Sequence, residues 1–261
     1  MLTTVWKLGG FIVDATMGAG YALALLVQTL SQGAALFRVQ YLEALSRQMF
    51  ICGVQTLPVT LVVSIFTGAI LAMNGGLSLE TIGQEDLIGR IVTISVVREM
   101  GPFMTALILA ASVGSAMAAE IGTMKVSEEI DALEVMVVEP ARFLVLPRLV
   151  AMAVMTPIVT VYTNLVGVIG GAVTSYFQYG VSLQRFWTEA HYLTPKDVWT
   201  GLLKALIFGV VIAVVGCSQG LRAHGGAIGV GQATRRAVVI SYLLIIIIGY
   251  YVTFIFFRIR W

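Results

Sequence analysis

Two neighbouring charges stand where the chain becomes strongly apolar, and they are the residues best placed to do chemistry. Arg98 and Glu99 come directly before an uncharged run that begins at Met100. Charged side chains within a membrane span are costly, and they normally face a cavity, a partner or another charge. The pair has two equally supported interpretations: it lines a substrate path or binds a lipid headgroup, or it lies at the water interface.

The segment 126–138 has the pattern of a short amphipathic helix. Its apolar residues recur at intervals of four, three and four, and they are Val126, Ile130, Leu133 and Val137. The positions between them carry the acidic residues Glu128, Glu129, Asp131 and Glu134. We expect Ser127 to cap the helix at its N-terminus and Pro140 to end it.

This acidic segment has two interpretations. A short acidic helix between two spans suits a transporter that docks onto a separate motor subunit. An ordinary interfacial connector is the commoner explanation for an isolated segment. The acidity counts against a role at the membrane surface, because anionic lipids attract basic helices.

No other segment carries the pattern of a reactive site. His191 and His224 stand apart from other metal ligands, so we expect no metal site. The glycines at 225, 226, 229 and 231 are not followed by the Lys-Ser or Lys-Thr of a phosphate loop, and they predict a mobile loop. Cys52 and Cys217 are expected to be free buried thiols. We expect no catalytic residue, so energy must come from a partner or an ion gradient.

The composition indicates which elements position these residues. Of 261 residues, 58% are hydrophobic and 11% are charged, whereas soluble domains have roughly 45–50% apolar and about 25% charged residues. Uncharged runs close to the length of a membrane helix lie at 15–37, 48–79, 100–119, 149–184, 205–221 and 237–257. Backbone polar groups in lipid must be paired internally, so these runs predict an all-α integral membrane protein. The net charge of +2 indicates no nucleic-acid partner.

We expect five spans in a single domain, at about 51–74, 88–119, 144–176, 199–218 and 237–257. The run 15–37 either crosses the bilayer or lies on it, and the mixed residues of 31–50 suit a helix in the membrane interface. A cytoplasmic N-terminus would place nine of the 16 Lys and Arg residues inside, which favours that orientation weakly.

Small residues recur at helical spacing in two of the predicted spans. Ala110, Gly114 and Ala118 share one face of the second span, and Gly167 and Gly171 form a GxxxG pair in the third. Such spacing lets helices approach closely. We favour packing within one chain over a dimer seam.

Four segments together resemble the MlaE family of ABC transporter permeases. They are VVREMGP at 96–102, GSAMAAEIGTMKVSEEIDALEVM at 114–136, VEPARFLVLPRLVA at 138–151 and GVGQATRRAVV at 229–239. The resemblance implies one permease domain over 1–261, with an N-terminal interfacial region at 1–50, five transmembrane helices and a cytoplasmic coupling helix at about 126–138. It makes the docking interpretation of the acidic segment the favoured one.

The resemblance also implies partners and a cargo. It predicts a homodimer in the inner membrane of a bacterial cell, bound to a cytoplasmic ATPase that holds ATP and magnesium. A hexamer of MCE-domain protein would cap it outside, and a small STAS-domain protein would join the complex. The chain itself would hold no cofactor. The cargo would be phospholipid moved between inner and outer membranes, which maintains the lipid asymmetry of the outer membrane.

The resemblance further suggests which residues carry these roles. The substrate cavity would be lined by Leu71, Met73, Asn74, Leu77, Arg98, Glu99 and Met100. The ATPase would contact Val126, Glu128, Glu129, Ile130, Asp131, Leu133, Glu134 and Val137. Two alternatives stay open: an ion-coupled secondary transporter, and a membrane scaffold subunit that transports nothing.

Overall fold

The computed structural model describes residues 18, 20–29, 31 and 39–258, and helices are the only regular secondary structure among them. Five helical segments are long and apolar enough to cross a membrane, which confirms the predicted all-α membrane fold. These first to fifth spans are Glu43–Glu80, Glu85–Val126, Ala141–Tyr179, Pro195–Leu221 and Gly226–Phe256. Of the interfacial helix predicted at 31–50, residues 39–50 are helical and continue into the first span, and 32–38 lie outside the described residues. Before it lies the short apolar helix Gly20–Thr29.

Each span is longer than its uncharged run predicts, because charged residues form part of the helix ends. The first span includes most of helix Val39–Gly53, the 3-10 turn Val54–Thr56 and helix Leu57–Glu80. Pro58 lies in the first turn of helix Leu57–Glu80, where its missing N–H breaks no hydrogen bond. The boundary predicted at residue 50 is therefore not a break in the helix.

The second span is interrupted by two π-helical turns. After a 3-10 turn, Glu85–Leu87, its parts are Ile88–Ser95, the π turn Val96–Met100, Gly101–Leu109, the π turn Ala110–Gly114 and Ser115–Val126. A π turn holds an extra residue and re-aims the side chains that follow, and such turns are frequent at functional sites. The first π turn contains Arg98 and Glu99.

Short connections link the remaining spans. The third span is the π turn Ala141–Val145 followed by Leu146–Tyr179, and the last two are helices Pro195–Leu221 and Gly226–Arg258. Helix Glu129–Val135, the acidic helix, joins the second span to the third, and helix Leu183–Ala190 joins the third to the fourth.

Successive spans run in opposite directions, which gives the bundle two distinct ends. The acidic helix shares one end with the start of the first span and with the connection 222–225. We call this the acidic-helix end. Helix Leu183–Ala190 and the end of the fifth span lie at the opposite end.

The mobile loop predicted from the glycine-rich segment is wrong. Only residues 222–225 lie outside the helices there, and Gly229 and Gly231 belong to the fifth span. A side chain at Gly229 would overlap the carbonyl of His224. That glycine therefore serves close packing of the connection against the helix, which its position in the sequence did not reveal.

Other glycines bring the spans together within the chain. A Cβ at Gly68 would overlap the carbonyl of Gly167, and one at Gly216 would lie 2.9 Å from the carbonyl oxygen of Gly114. Gly171 faces Gly68 in the same way. These contacts join the first span to the third and the second to the fourth. The small residues thus serve intramolecular packing, as predicted.

Candidate functional site

A cluster of charged side chains joins three spans near the opposite end of the bundle. The Lys204 ammonium donates to the Glu99 carboxylate at 2.6 Å and to the Arg98 carbonyl oxygen at 3.2 Å. The Thr253 hydroxyl donates to the other oxygen of Glu99 at 3.0 Å. Glu99 of the second span therefore ties together the fourth and fifth spans.

The Arg98 side chain pairs with a further residue of the cluster, Asp197. Its Nη1 lies 3.6 Å from Asp197 Oδ1, and its Nε lies 3.9 Å from Glu99 Oε1. Asp197 is fixed in place because it completes a capping box with Thr194 at the start of the fourth span. The π turn at Val96–Met100 lets two adjacent residues reach separate partners on the fourth span.

The burial of these groups is uneven. The Lys204 side chain is 1% exposed, while that of Glu99 is 33% exposed. A buried ammonium needs a close counter-charge, because its desolvation is expensive. Glu99 meets that need and still presents part of its carboxylate outward. Polar partners on the fourth and fifth spans hold Arg98 and Glu99, and their place along a substrate path stays a prediction.

A small polar cavity adjoins the cluster. Its volume is about 130 Å³, and its lining includes Arg98, Asp197, Thr200 and Thr253. Charged, hydroxyl and aromatic groups line the same space, since Phe256 also borders it. The arrangement can hold a polar group beside an apolar surface.

The structure divides the predicted cavity residues into two groups. Arg98 and Glu99 face the fourth and fifth spans, whereas Met73, Asn74 and Leu77 are exposed on the first span. The Met73 carbonyl accepts a hydrogen bond from the Tyr179 hydroxyl at 2.8 Å, which fixes the end of the first span against the third.

Two further members of the predicted cavity set are half-buried. Leu71 packs against the core between the first and second spans, and Met100 lies at the end of the π turn. That Leu71 and Met100 line the substrate cavity stays a prediction.

The sequence did not predict three residues of this cluster: Asp197, Lys204 and Thr253. Lys204 offered a signal, because it falls inside the predicted span 199–218, where a charge demands a partner. Asp197 and Thr253 offered none, since an aspartate next to a helix start and a threonine in a span are ordinary.

The acidic helix is shorter than predicted. The second span continues to Val126, and Ser127 ends it by donating its N–H to Thr123, so Ser127 does not cap the next helix. Glu128 takes a left-handed conformation with φ 62°, and the helix covers Glu129–Val135. The predicted start at 126 was wrong because the preceding span runs on through Val126, and the predicted end at 138 was wrong because the helix ends at Val135.

The C-terminal limit of the acidic helix has a different cause from the one predicted. Val137 has φ 59°, which turns the chain two residues after Val135. Pro140 lies just ahead of the π turn that opens the third span, and so it precedes a helix instead of stopping one. A β-branched residue at positive φ is strained. Nothing in the sequence around Val137 predicted this backbone conformation.

Only part of the predicted apolar stripe faces the bundle. Ile130 is buried and Leu133 is half-buried, and both pack with Ile121 and Leu144. Lys125 pairs with Asp131 at 2.5 Å, which holds the helix against the second span. The acidic side chains Glu128, Glu129, Asp131 and Glu134 are exposed.

An apolar surface lies at the C-terminal end of the acidic helix. Val135, Met136 and Val137 are 84%, 63% and 91% exposed. An exposed apolar patch rimmed by charged groups is typical of a protein interaction site. Val135 and Met136 were missed in the sequence, where they looked like the end of the helix pattern.

A second cavity separates the acidic helix from helix Gly20–Thr29. It measures about 210 Å³, and Tyr21, Lys125 and Glu134 border it. Burial raises the pKa of the Tyr21 phenol above its ordinary value, so at neutral pH the hydroxyl remains a neutral donor. Helix Gly20–Thr29 and the acidic helix therefore border this cavity from two sides.

The described residues contain no group of three His, Cys, Asp or Glu side chains that could hold a metal ion. Cys52 and Cys217 are buried and free, as predicted.

Comparison with known proteins identifies the group of sequences to which these features correspond. The family model described as "Permease MlaE" matches residues 45–255. A protein of Rickettsia felis called "Probable ABC transporter permease protein" is 37% identical over 220 residues, which cover 84% of this chain and 85% of that protein.

Two relatives carry more specific names. The Haemophilus influenzae "Intermembrane phospholipid transport system permease protein MlaE" is 32% identical over 220 residues, covering 84% of each chain. The Arabidopsis thaliana "Protein TRIGALACTOSYLDIACYLGLYCEROL 1, chloroplastic" is 35% identical over 207 residues, covering 79% of this chain and 59% of that protein.

Proposed function

The chain belongs to the MlaE permease family, as a multi-pass membrane subunit of an ABC transporter, and we propose that it moves phospholipid between the inner and outer membranes of a bacterium. The observation that carries the proposal is the charged cluster of Arg98, Glu99 and Lys204, of which only the Lys204 side chain is buried. Charges within a span, beside a cavity that an aromatic ring also borders, suit a cargo with a polar headgroup and apolar chains. The name of the Haemophilus relative supports the same cargo class.

The exposure of the spans supports a homodimer with the cargo between its two copies. The most apolar stretch of the fifth span is only 11% buried and that of the first 28%, against 61% for the third. A second copy that covered the first and fifth spans would enclose Met73, Asn74 and Leu77 together with the charged cluster. The two groups of predicted cavity residues would then line one space.

An ABC permease has no ATPase motif of its own and works with a separate ATPase subunit. We place that contact on the acidic helix and on the apolar surface Val135, Met136 and Val137. This assigns the acidic-helix end to the cytoplasm, in agreement with the weak excess of Lys and Arg on that side. ATP and magnesium would be held by the ATPase.

The mechanism we propose is a shift between two populations. ATP binding would close the motor dimer and bring the two acidic helices together, which narrows the cavity at the dimer interface. A lipid held there would pass to or from a tunnel in a hexameric MCE-domain protein outside, and a STAS-domain protein would join the complex on the cytoplasmic side. Direction depends on which state binds the lipid better.

A transport assay tests the cargo and the energy source together. The complex is purified, reconstituted into vesicles, and assayed for transfer of labelled phospholipid to an acceptor protein with ATP, without ATP and with ionophores. We expect transfer that requires ATP and survives ionophores. Transfer that persists without ATP but collapses with the ion gradient would identify a secondary transporter, and an assembled complex that transfers nothing would identify a scaffold.

A pair of matched variants tests the ATPase contact. Val137→Asp places a charge on the exposed apolar surface, and Ile82→Asp does the same at an exposed position of the opposite end. We expect Val137→Asp to lower the amount of co-purified ATPase about tenfold or more, as loss of a central interface contact does, and Ile82→Asp to leave it unchanged. Equal amounts with both variants would disprove the assigned surface.

A further inference from the structure

A basic cavity at the acidic-helix end has no part in the function proposed above. It measures about 310 Å³ and lies between the end of the fourth span and the start of the fifth. Arg222 and Arg236 contribute two guanidinium groups, and Gln219 and Gln232 contribute two amides. None of the residues that line it is acidic.

The fifth span shapes one wall of this basic cavity. Gly229, Gln232, Ala233 and Arg236 follow one another at intervals of three, one and three residues, which places them on a single helix face. The small residues leave the space, and the long polar residues border it. Ala233 is nearly buried, so the floor is apolar and close to the fourth span.

The connection 222–225 shapes the other wall. Gly225 and the first residue of the fifth span, Gly226, have φ of 86° and 72°, which other residues rarely adopt. Arg222 lies just before this tight turn and lines the same cavity as Arg236. The His224 Nδ1 lies 3.0 Å from the Arg222 carbonyl oxygen and donates to it, since a carbonyl only accepts.

These groups fit an anion with several oxygen atoms. Guanidinium groups match phosphate oxygens with paired, charge-assisted hydrogen bonds. Two of them together with two amides line the same cavity and supply donors for a phosphate group. The arrangement differs from a nucleotide phosphate loop, because side chains and not a glycine-rich turn after a strand supply the donors.

An apolar track leads away from the basic cavity along the fifth span. Val239, Leu243 and Ile247 follow Arg236 at intervals of three, four and four residues, and all three are exposed. Basic pockets between membrane helices at the water interface bind anionic lipid headgroups. The track would take the acyl chains of a lipid whose phosphate lies between the arginines.

We propose that this cavity binds a phosphate group, and that the headgroup of an anionic phospholipid supplies it. The proposal does not rest on transport, because this cavity lies at the acidic-helix end of the bundle and Arg98 and Glu99 lie near the opposite end. A free phosphate ion would meet the same donors, and the experiment separates the two sources.

The test is calorimetric titration of the full chain, purified in neutral detergent with its bound subunits. The probes are dihexanoyl phosphatidylglycerol, dihexanoyl phosphatidylcholine and inorganic phosphate. Arg222→Gln/Arg236→Gln removes both charges, and Arg235→Gln removes an exposed charge next to the cavity. Ala233→Leu fills the space and keeps both charges.

We expect phosphatidylglycerol to bind more tightly than phosphatidylcholine. The double variant should weaken binding by at least tenfold for each lost charge-assisted contact, and Arg235→Gln by less than about fivefold. Ala233→Leu should weaken binding without a change of charge. Preserved melting temperature and monodispersity would show that the variants fold.

The outcomes separate the possible ligands. Weak binding of inorganic phosphate identifies the lipid headgroup as the source, and binding as tight as that of phosphatidylglycerol identifies free phosphate. Equal binding of every probe to the wild type and the double variant would overturn the proposal. So would loss of a protein subunit from the double variant with lipid binding unchanged, because the basic face would then dock protein.

Discussion

Removal of Glu99 should destabilise the protein more than removal of Lys204, although the two residues form one ion pair. Glu99→Leu leaves a Lys204 ammonium that is 1% exposed without its carboxylate. An uncompensated buried charge costs about 3–5 kcal/mol. Lys204→Met leaves a carboxylate that is 33% exposed and still bonded to Thr253, so the cost should be about 1–2 kcal/mol.

The double variant Glu99→Leu/Lys204→Met should recover most of the loss, because a buried ion pair can be replaced by apolar residues at little cost. The assay is thermal unfolding in detergent, where Glu99→Leu should lower the melting temperature by about 10 °C. The exposed pair Arg185 and Asp86, 3.0 Å apart, is the matched control, and its removal should cost under about 1 kcal/mol.

Two results would refute this reasoning. One is a Lys204→Met variant that is less stable than Glu99→Leu, and the other is a double variant that sums the two losses. Transport should stay low in the double variant even where stability returns, since the Arg98 side chain that lines the cavity loses the Glu99 carboxylate beside it. A fully active double variant would show that the cluster only stabilises the bundle.

Three further predictions follow from local geometry. Gly68→Ala should sharply reduce the yield of folded protein, because its Cβ would overlap the Gly167 carbonyl, whereas Gly75→Ala, whose Cβ would have its nearest neighbour at 3.9 Å, should leave the yield unchanged. Val137→Gly should raise the free energy of unfolding by about 1–2 kcal/mol by relieving the left-handed conformation, and a loss of stability would contradict that strain. Thr194→Ala should cost about 1 kcal/mol through the lost capping box, measured by the same unfolding assay, and no change would show that the cap is dispensable.

The number and order of the spans could be predicted because apolar length is a local property of the chain. Their ends could not, since residues such as Glu80 and Lys125 continue a helix beyond its uncharged run. The π turns were also out of reach. They depend on how neighbouring helices pack, and VVREMGP reads as ordinary helix until Arg98 and Glu99 are seen to reach the fourth span.

The candidate site was predicted in part for the same reason. The cost of a charge near a membrane span identified Arg98 and Glu99, and the same cost applied to Lys204, which lies inside a predicted span. The pairing of these residues joins positions more than a hundred residues apart in sequence, which spacing along the chain does not encode. The left-handed conformations at Glu128 and Val137 likewise arise from the turn they make, since neither residue type favours it.

The second span connects the charged cluster to the acidic helix, so a tilt of this span about the cluster would displace the acidic helix. From Glu99 to Val126 it is about 40 Å long at 1.5 Å per residue, so a tilt of about 10° moves its far end by about 7 Å. The cluster is bonded to the fourth and fifth spans, so it would be the fixed point of that tilt. If the ATPase docks as proposed, a displacement of several ångströms at the acidic helix would correspond to a small rotation of the second span beside the cavity.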